Sequence, residues 1–283
     1  YFDRITRPEQ IIQSFPAAIQ TMLDPADCGP ACISLSQDIQ GQTFDYPEEF
    51  FKEKIHAIRR PRPDEFQIKE AAEKIKSSKN PIIISGGGVF YSDAMEDLSN
   101  FAIKHNIPVT QTVMGYSTMK RDHSHFAGQI GALGGKNTNS LAKQTDLAIA
   151  VGTKLGDFTT GSWANFENEN FKLVSINVSR FDANKHLAQA VVGDAKVSLN
   201  DLSQALGDWK SGEEWNKKSQ VELKAWNEQV DKESAPTNQE VPSYVQVIGA
   251  VYRNSDPTDI AVTAAGGLVG EVVQVWRPRE LNT

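Results

Sequence analysis

Apolar positions in this 283-residue chain follow two rhythms: short unbroken runs, and stripes at helical spacing. Ile82, Ile83 and Ile84 form an uninterrupted β-branched run, the pattern of a strand buried on both faces of a parallel sheet. Gly86, Gly87 and Gly88 break it. From Ser92, the expected N-cap, the period becomes helical, with Ala94, Leu98, Phe101 and Ala102 on one side. The stretch from Asn80 to His105 is therefore predicted to be strand, glycine turn and helix.

The same alternation extends in both directions. Upstream, Ile11, Ile12, Phe15 and Ile19 mark a helix with Pro16 as a kink or restart, and residues 31–39 read as a strand. Pro61 and Pro63 disfavour helix at the residues before them and mark a domain boundary. Asp64 is expected to cap the next helix, with Gln67 in the reciprocal capping-box position and Ile68, Ala71, Ala72 and Ile75 as its apolar stripe.

Downstream, strands are predicted at 107–110, 146–152, 171–178 and 190–192, with a short helix at 137–144. Residues 113–135 are left as one long loop. Asp194 caps a helix carrying Val197, Leu199, Leu202 and Leu206. Residues 211–231 form a charged helix, 234–242 a linker, and Tyr244, Val247, Ile248, Val251 and Tyr252 a further helical stripe. Residues 259–264 read as another buried strand, after which Ala265, Gly266 and Gly267 open the last helix. Buried strands alternating with helices define an α/β fold with a doubly wound parallel sheet.

Composition narrows the partners. With 36 acidic and 29 basic residues the net charge is −7, and no Lys/Arg-rich run occurs, which argues against nucleic acid and anionic membranes. No apolar run approaches the roughly 20 residues of a membrane span, and the charged opening is unlike a signal peptide, so a cytoplasmic location is expected. Cys28 and Cys32, spaced CxxxC, match neither a redox pair nor a metal set.

Candidate chemistry is sparse. A glycine turn between strand and helix lets backbone N–H groups approach a phosphate, so Gly86, Gly87 and Gly88 are a candidate nucleotide site, with Gly152 and Asp157 lining the same crevice. The turn is not GxGxxG, and a tight connection is the competing reading. His123 and His125 form an HxH pair that no nearby Cys or third His completes. Met114, Tyr116 and Met119 are candidates for a substrate channel or for core packing. No GxSxG elbow is present, which disfavours a serine hydrolase.

Four stretches together resemble one family. Residues 34–40 (SLSQDIQ) with the proline-rich linker, NPIIISGGGVFYSDA from Asn80, DLAIAVGTKLGDFT from Asp146, and VVGDA from Val191 followed by DIAVTAAGGLVGE from Asp259 are similar, in register, to the layout of thiamine-diphosphate-dependent enzymes. On that resemblance residues 1–60 are the end of a pyrimidine-binding domain, 61–210 a Rossmann-like central domain, 211–242 a helix and linker, and 243–283 the start of a diphosphate-binding domain. The chain is then expected to be a fragment of something longer. Within the superfamily, YFDRITRPEQ, QDIQGQTFDYPEEFF, RPRPDEFQI, SGGGVFYSDA and AAGGLVGE resemble the hydrolases that open a trihydroxycyclohexane-1,2-dione in inositol breakdown. An acetolactate-synthase-like enzyme or a decarboxylase is the alternative, as is a non-catalytic nucleotide-binding module; a NAD-dependent deacylase is disfavoured because the His and Asn constellation expected around a GAG turn is absent.

The resemblance implies carbon–carbon cleavage with thiamine diphosphate as electron sink, a cyclic dione as substrate, Mg²⁺ on oxygen ligands and a homodimer or homotetramer. It places the diphosphate beside Ala265, Gly266 and Gly267. The activating glutamate is expected upstream of Tyr1 and the GDG…Asn metal motif downstream of Thr283, so no catalytic or metal residue is assigned in this chain, and the chain alone is expected to be inactive. Ser36 and Val269 stand where proline is usual, and Asp194 of VVGDA reads as a helix cap.

Overall fold

The computed structural model describes residues 1–264 and 266–281. The chain forms two compact units, Tyr1–Pro61 and Arg62–Thr283. In the first, β1 (Phe2–Ile5) pairs in parallel with β2 (Cys32–Leu35), Phe2 opposite Cys32 and Ile5 opposite Leu35. Between them α1 (Ile11–Leu23) runs through Pro16 without a break. The strand expected over 31–39 stops at Leu35, because extended Ser36 leads into the four-residue helix α2 (Gln37–Gln40).

The second unit carries α3 (Glu65–Lys76), β3 (Pro81–Ser85), α4 (Gly88–Tyr91), α5 (Met95–His105), β4 (Val109–Gln111), β5 (Phe126–Gln129), α6 (Lys136–Gln144), β6 (Leu147–Val151), α7 (Asp157–Thr160), β7 (Lys172–Asn177), α8 (Arg180–Ala183), β8 (Gln189–Val192), α9 (Ala195–Leu206), α10 (Glu213–Glu233), α11 (Tyr244–Arg253) and α12 (Gly267–Val275). Its six strands form one sheet in the order β5-β4-β3-β6-β7-β8. Every pairing is parallel, so the order reverses between β3 and β6.

Alternating residues of the central strands face opposite layers, which is why unbroken apolar runs are required. Ile83, Val109, Ile149, Val174 and Val191 pack with Ile75 of α3, Leu98 and Phe101 of α5 and Leu202 of α9. Ile82, Ile84, Ala148 and Ala150 face the other way, onto Leu141 of α6 and Trp215 of α10. The Trp215 indole N–H donates to Pro81 O at 2.8 Å, so α10 is tied to the start of β3. Each fully buried Ile or Leu contributes roughly 1.5–3 kcal/mol of apolar burial. A third cluster joins Val230 of α10, Ile248 of α11 and Val275 of α12.

Four local expectations are corrected. Ser92 ends α4 and does not start α5, whose N-cap is Ala94; its hydroxyl donates instead to Asp194 at 2.7 Å. Asp64 does cap α3 through Phe66 N–H, but Gln67 turns away and accepts from Val192 N–H at 2.9 Å, so no capping box forms. The 113–135 loop contains β5, an edge strand whose register to β4 shifts after Val109. Residues 259–264 are exposed and lie outside the regular elements, with Val262 at 91%. Among the described residues no helix is long and apolar enough to cross a membrane.

Candidate functional site

In open parallel sheets ligands sit outside the carboxyl ends of the strands where the order reverses, here between β3 and β6. The sequence supplies that point with glycine on both sides. After β3, Gly86 N–H donates to Val151 O and Gly88 N–H to Gly152 O, both at 2.9 Å. After β6, Gly152 turns at φ 60°. A Cβ on Gly86 would lie 2.4 Å from Gly152 O, and one on Gly88 would lie 2.6 Å from Gly152 Cα. The turns therefore touch backbone to backbone, which only glycine allows.

The consequence for the candidate nucleotide site is direct. Two N–H groups that a phosphate would need, those of Gly86 and Gly88, point at the Val151 and Gly152 carbonyls, and the helix that follows has only four residues. Asp157 is exposed at the start of α7.

A second set of contacts ties the β4–β5 loop to the far end of α12. Tyr116 Oη donates to Trp276 O and, at 3.4 Å, to Val273 O. Burial pushes its hydroxyl up to about 12, so it stays a donor across the physiological range. Arg121 donates to Trp276 O at 3.4 Å and to the Gln129 side-chain oxygen at 3.2 Å, with its guanidinium over the Phe126 ring. Burial lowers its pKa. At the rim Lys120 meets Glu280 at 2.8 Å.

The remaining candidates separate. Met119 is buried in the core and Met114 is 72% exposed. His125 N–H faces Asn106 Oδ1 at 3.1 Å while its other ring nitrogen meets the Ser124 hydroxyl at 3.0 Å, and burial, then His123, lowers its pKa to about 4. His123 accepts from the His125 backbone N–H. The pair is thus absorbed in hydrogen bonds that shape the loop. Among the described residues no group of three or more His, Cys, Asp or Glu could hold a metal ion.

Of the three residues assigned to the diphosphate, Ala265 lies outside the described residues. Gly266 stands at φ 132° as the N-cap of α12, and neither it nor Gly267 has an atom within 4 Å of an added Cβ. The first N–H groups of a helix have no partner within it and favour an anion. This open helix start fits a diphosphate. Its neighbours differ from those of the β3 turn: Gly270, one turn on, faces Leu133 of the β5–α6 loop, whereas Gly86 to Gly88 face Gly152 and Met114. Sequence reasoning noticed Tyr116 but not its tie to Trp276, 160 residues away; no local pattern carries such a contact.

The sheet order and its reversal between β3 and β6 define a doubly wound, Rossmann-like α/β domain. Residues 68–202 match the model of the thiamine pyrophosphate enzyme central domain. The chain is similar to proteins named 3D-(3,5/4)-trihydroxycyclohexane-1,2-dione hydrolase: 36% identical to that of Clostridium perfringens over 98% of this chain and 47% of the relative. The figures are 37% over 100% and 48% for Bacillus licheniformis, and the same for Halalkalibacterium halodurans. The chain spans about half the length of these curated relatives.

Proposed function

We propose that this chain forms about half of a thiamine-diphosphate-dependent hydrolase that cleaves a ring carbon–carbon bond of a trihydroxycyclohexane-1,2-dione, giving 5-deoxyglucuronic acid in myo-inositol catabolism. The observation that carries the reading is the similarity at 36–37% identity along essentially the whole chain, through the central domain and the linkers on either side of it. The cofactor, when bound, supplies the electron sink for bond cleavage. This chain's own part is to hold one side of it: the N–H groups at the start of α12 bind diphosphate oxygens, and the Gly266 turn brings the backbone close. Mg²⁺ belongs to the reading as a hard ion on oxygen ligands drawn from outside the described residues. The enzyme works as a homodimer or homotetramer in the cytoplasm.

The test is turnover by the intact protein containing this chain, supplied with thiamine diphosphate and Mg²⁺. Ring opening of the dione, followed by loss of its absorbance and by mass spectrometry of the acid, is the expected result. Turnover of pyruvate with none of the dione would instead place the protein with the acetolactate synthases or decarboxylases.

A further inference from the structure

We infer that Tyr116 and Arg121 are positioning residues for the cofactor: by capping the carboxyl end of α12 they fix where its amino end, the diphosphate-binding end, stands. This rests on the reading above that α12 faces thiamine diphosphate.

The two ends of α12 are treated in opposite ways. At the carboxyl end the last carbonyls have no partner within the helix, carry its negative pole and need donors. Tyr116 Oη supplies one to Val273 O and Trp276 O, and Arg121 supplies a charged one to Trp276 O. The Trp276 ring meets the Tyr252 ring edge-on at 5.5 Å, and Ser117 Oγ reaches Glu280 O at 3.4 Å. At the amino end Gly266 and Gly267 are exposed, with open space where a side chain would begin. Nine residues at 1.5 Å each make a rod of roughly 13 Å. A rod gripped at one end points its free end, so a small tilt at Trp276 displaces the N–H groups at Gly267.

The grip is anchored in the central sheet. Arg121 also holds Gln129, the last residue of β5, and Tyr116 follows the turn in which Gly115 N–H donates to Thr112 O. The cofactor end of α12 is therefore referenced to β4 and β5. Neither residue touches the cofactor in this arrangement. Their effect falls on its affinity, with little on the chemical step.

The experiment is cofactor binding by the intact protein, measured by titration calorimetry with thiamine diphosphate and Mg²⁺, on wild type, Tyr116→Phe, Arg121→Gln and Arg121→Lys. Loss of one such hydrogen bond should weaken binding about tenfold in Tyr116→Phe, more in Arg121→Gln, with partial rescue by Arg121→Lys. The kcat at saturating cofactor should stay near wild type. Asp64→Ala, which uncaps α3, serves as the control: it should lower the melting temperature and leave the cofactor Kd unchanged. If wild type binds cofactor and Tyr116→Phe and Arg121→Gln bind it equally well, the positioning role is wrong while the functional reading stands. If wild type binds no thiamine diphosphate, both are wrong.

Discussion

Two kinds of residue repay attention at the finest scale: glycines in contact, and a histidine held neutral. An alanine at Gly86 would place its Cβ 2.4 Å from Gly152 O and 2.6 Å from Thr153 Cβ, so backbone must move. Gly86→Ala should cost more than about 3 kcal/mol in urea denaturation, whereas Gly156→Ala, with nothing within 4 Å, should cost under about 0.5 kcal/mol. His125 has its folded pKa lowered from 6.5 to about 4, so the unfolded chain binds the extra proton between those values. Its contribution is fully present above about pH 6.5 and is lost as pH falls toward 4, up to about 3 kcal/mol. Melting curves of wild type and His125→Gln across pH 4–8 should show a difference that shrinks over that window; a constant difference would contradict it. The glycine run was legible in the sequence, but its partner was not. Nothing near Gly86 announces that Gly152 lies against it, because that contact is made by sheet order.

At the scale of elements, caps decide where helices begin. Asp194 is 5% exposed and accepts from Lys196 N–H, Val197 N–H and the Ser92 hydroxyl. Asp64 caps from an exposed position through one bond, to Phe66 N–H. Asp194→Ala should therefore cost about 2–3 kcal/mol, against about 1 kcal/mol for Asp64→Ala, since the former also strands a buried hydroxyl. Thermal melts of the two variants check the ordering. Both caps could be named from sequence because Asp before a helical stripe is a local signal. Ser92 could not be placed, since the α4 turn and Ala94 intervene before α5 begins. β5 was missed because its four residues, Phe126 to Gln129, include Gly128 at φ 105° and pair across a register shift. Residues 259–264 fail in the opposite sense. Their alternation of Ile260 and Val262 reads as a strand, yet a strand also needs a hydrogen-bonded neighbour, and no described element supplies one.

For the whole molecule, the order β5-β4-β3-β6-β7-β8 follows from right-handed crossovers that start at β3 and wind first one way and then the other. The alternation of buried runs and helical stripes was enough to predict that class. It could not predict that the carboxyl edge would be divided into two regions of different character: a crevice filled by glycine backbone between β3 and β6, and a polar grip on α12 beyond β4 and β5. The proposed chemistry belongs with the second region. The first accounts for the most conspicuous motif in the chain as packing.

That packing has a mechanical consequence. Side chains at an ordinary junction can change rotamer, but Gly86, Gly88 and Gly152 contribute none where their backbones meet. The carboxyl ends of β3 and β6 are welded. Bending at the β4–β5 edge or at the β7–β8 edge therefore has no rotamer change at this glycine contact to draw on.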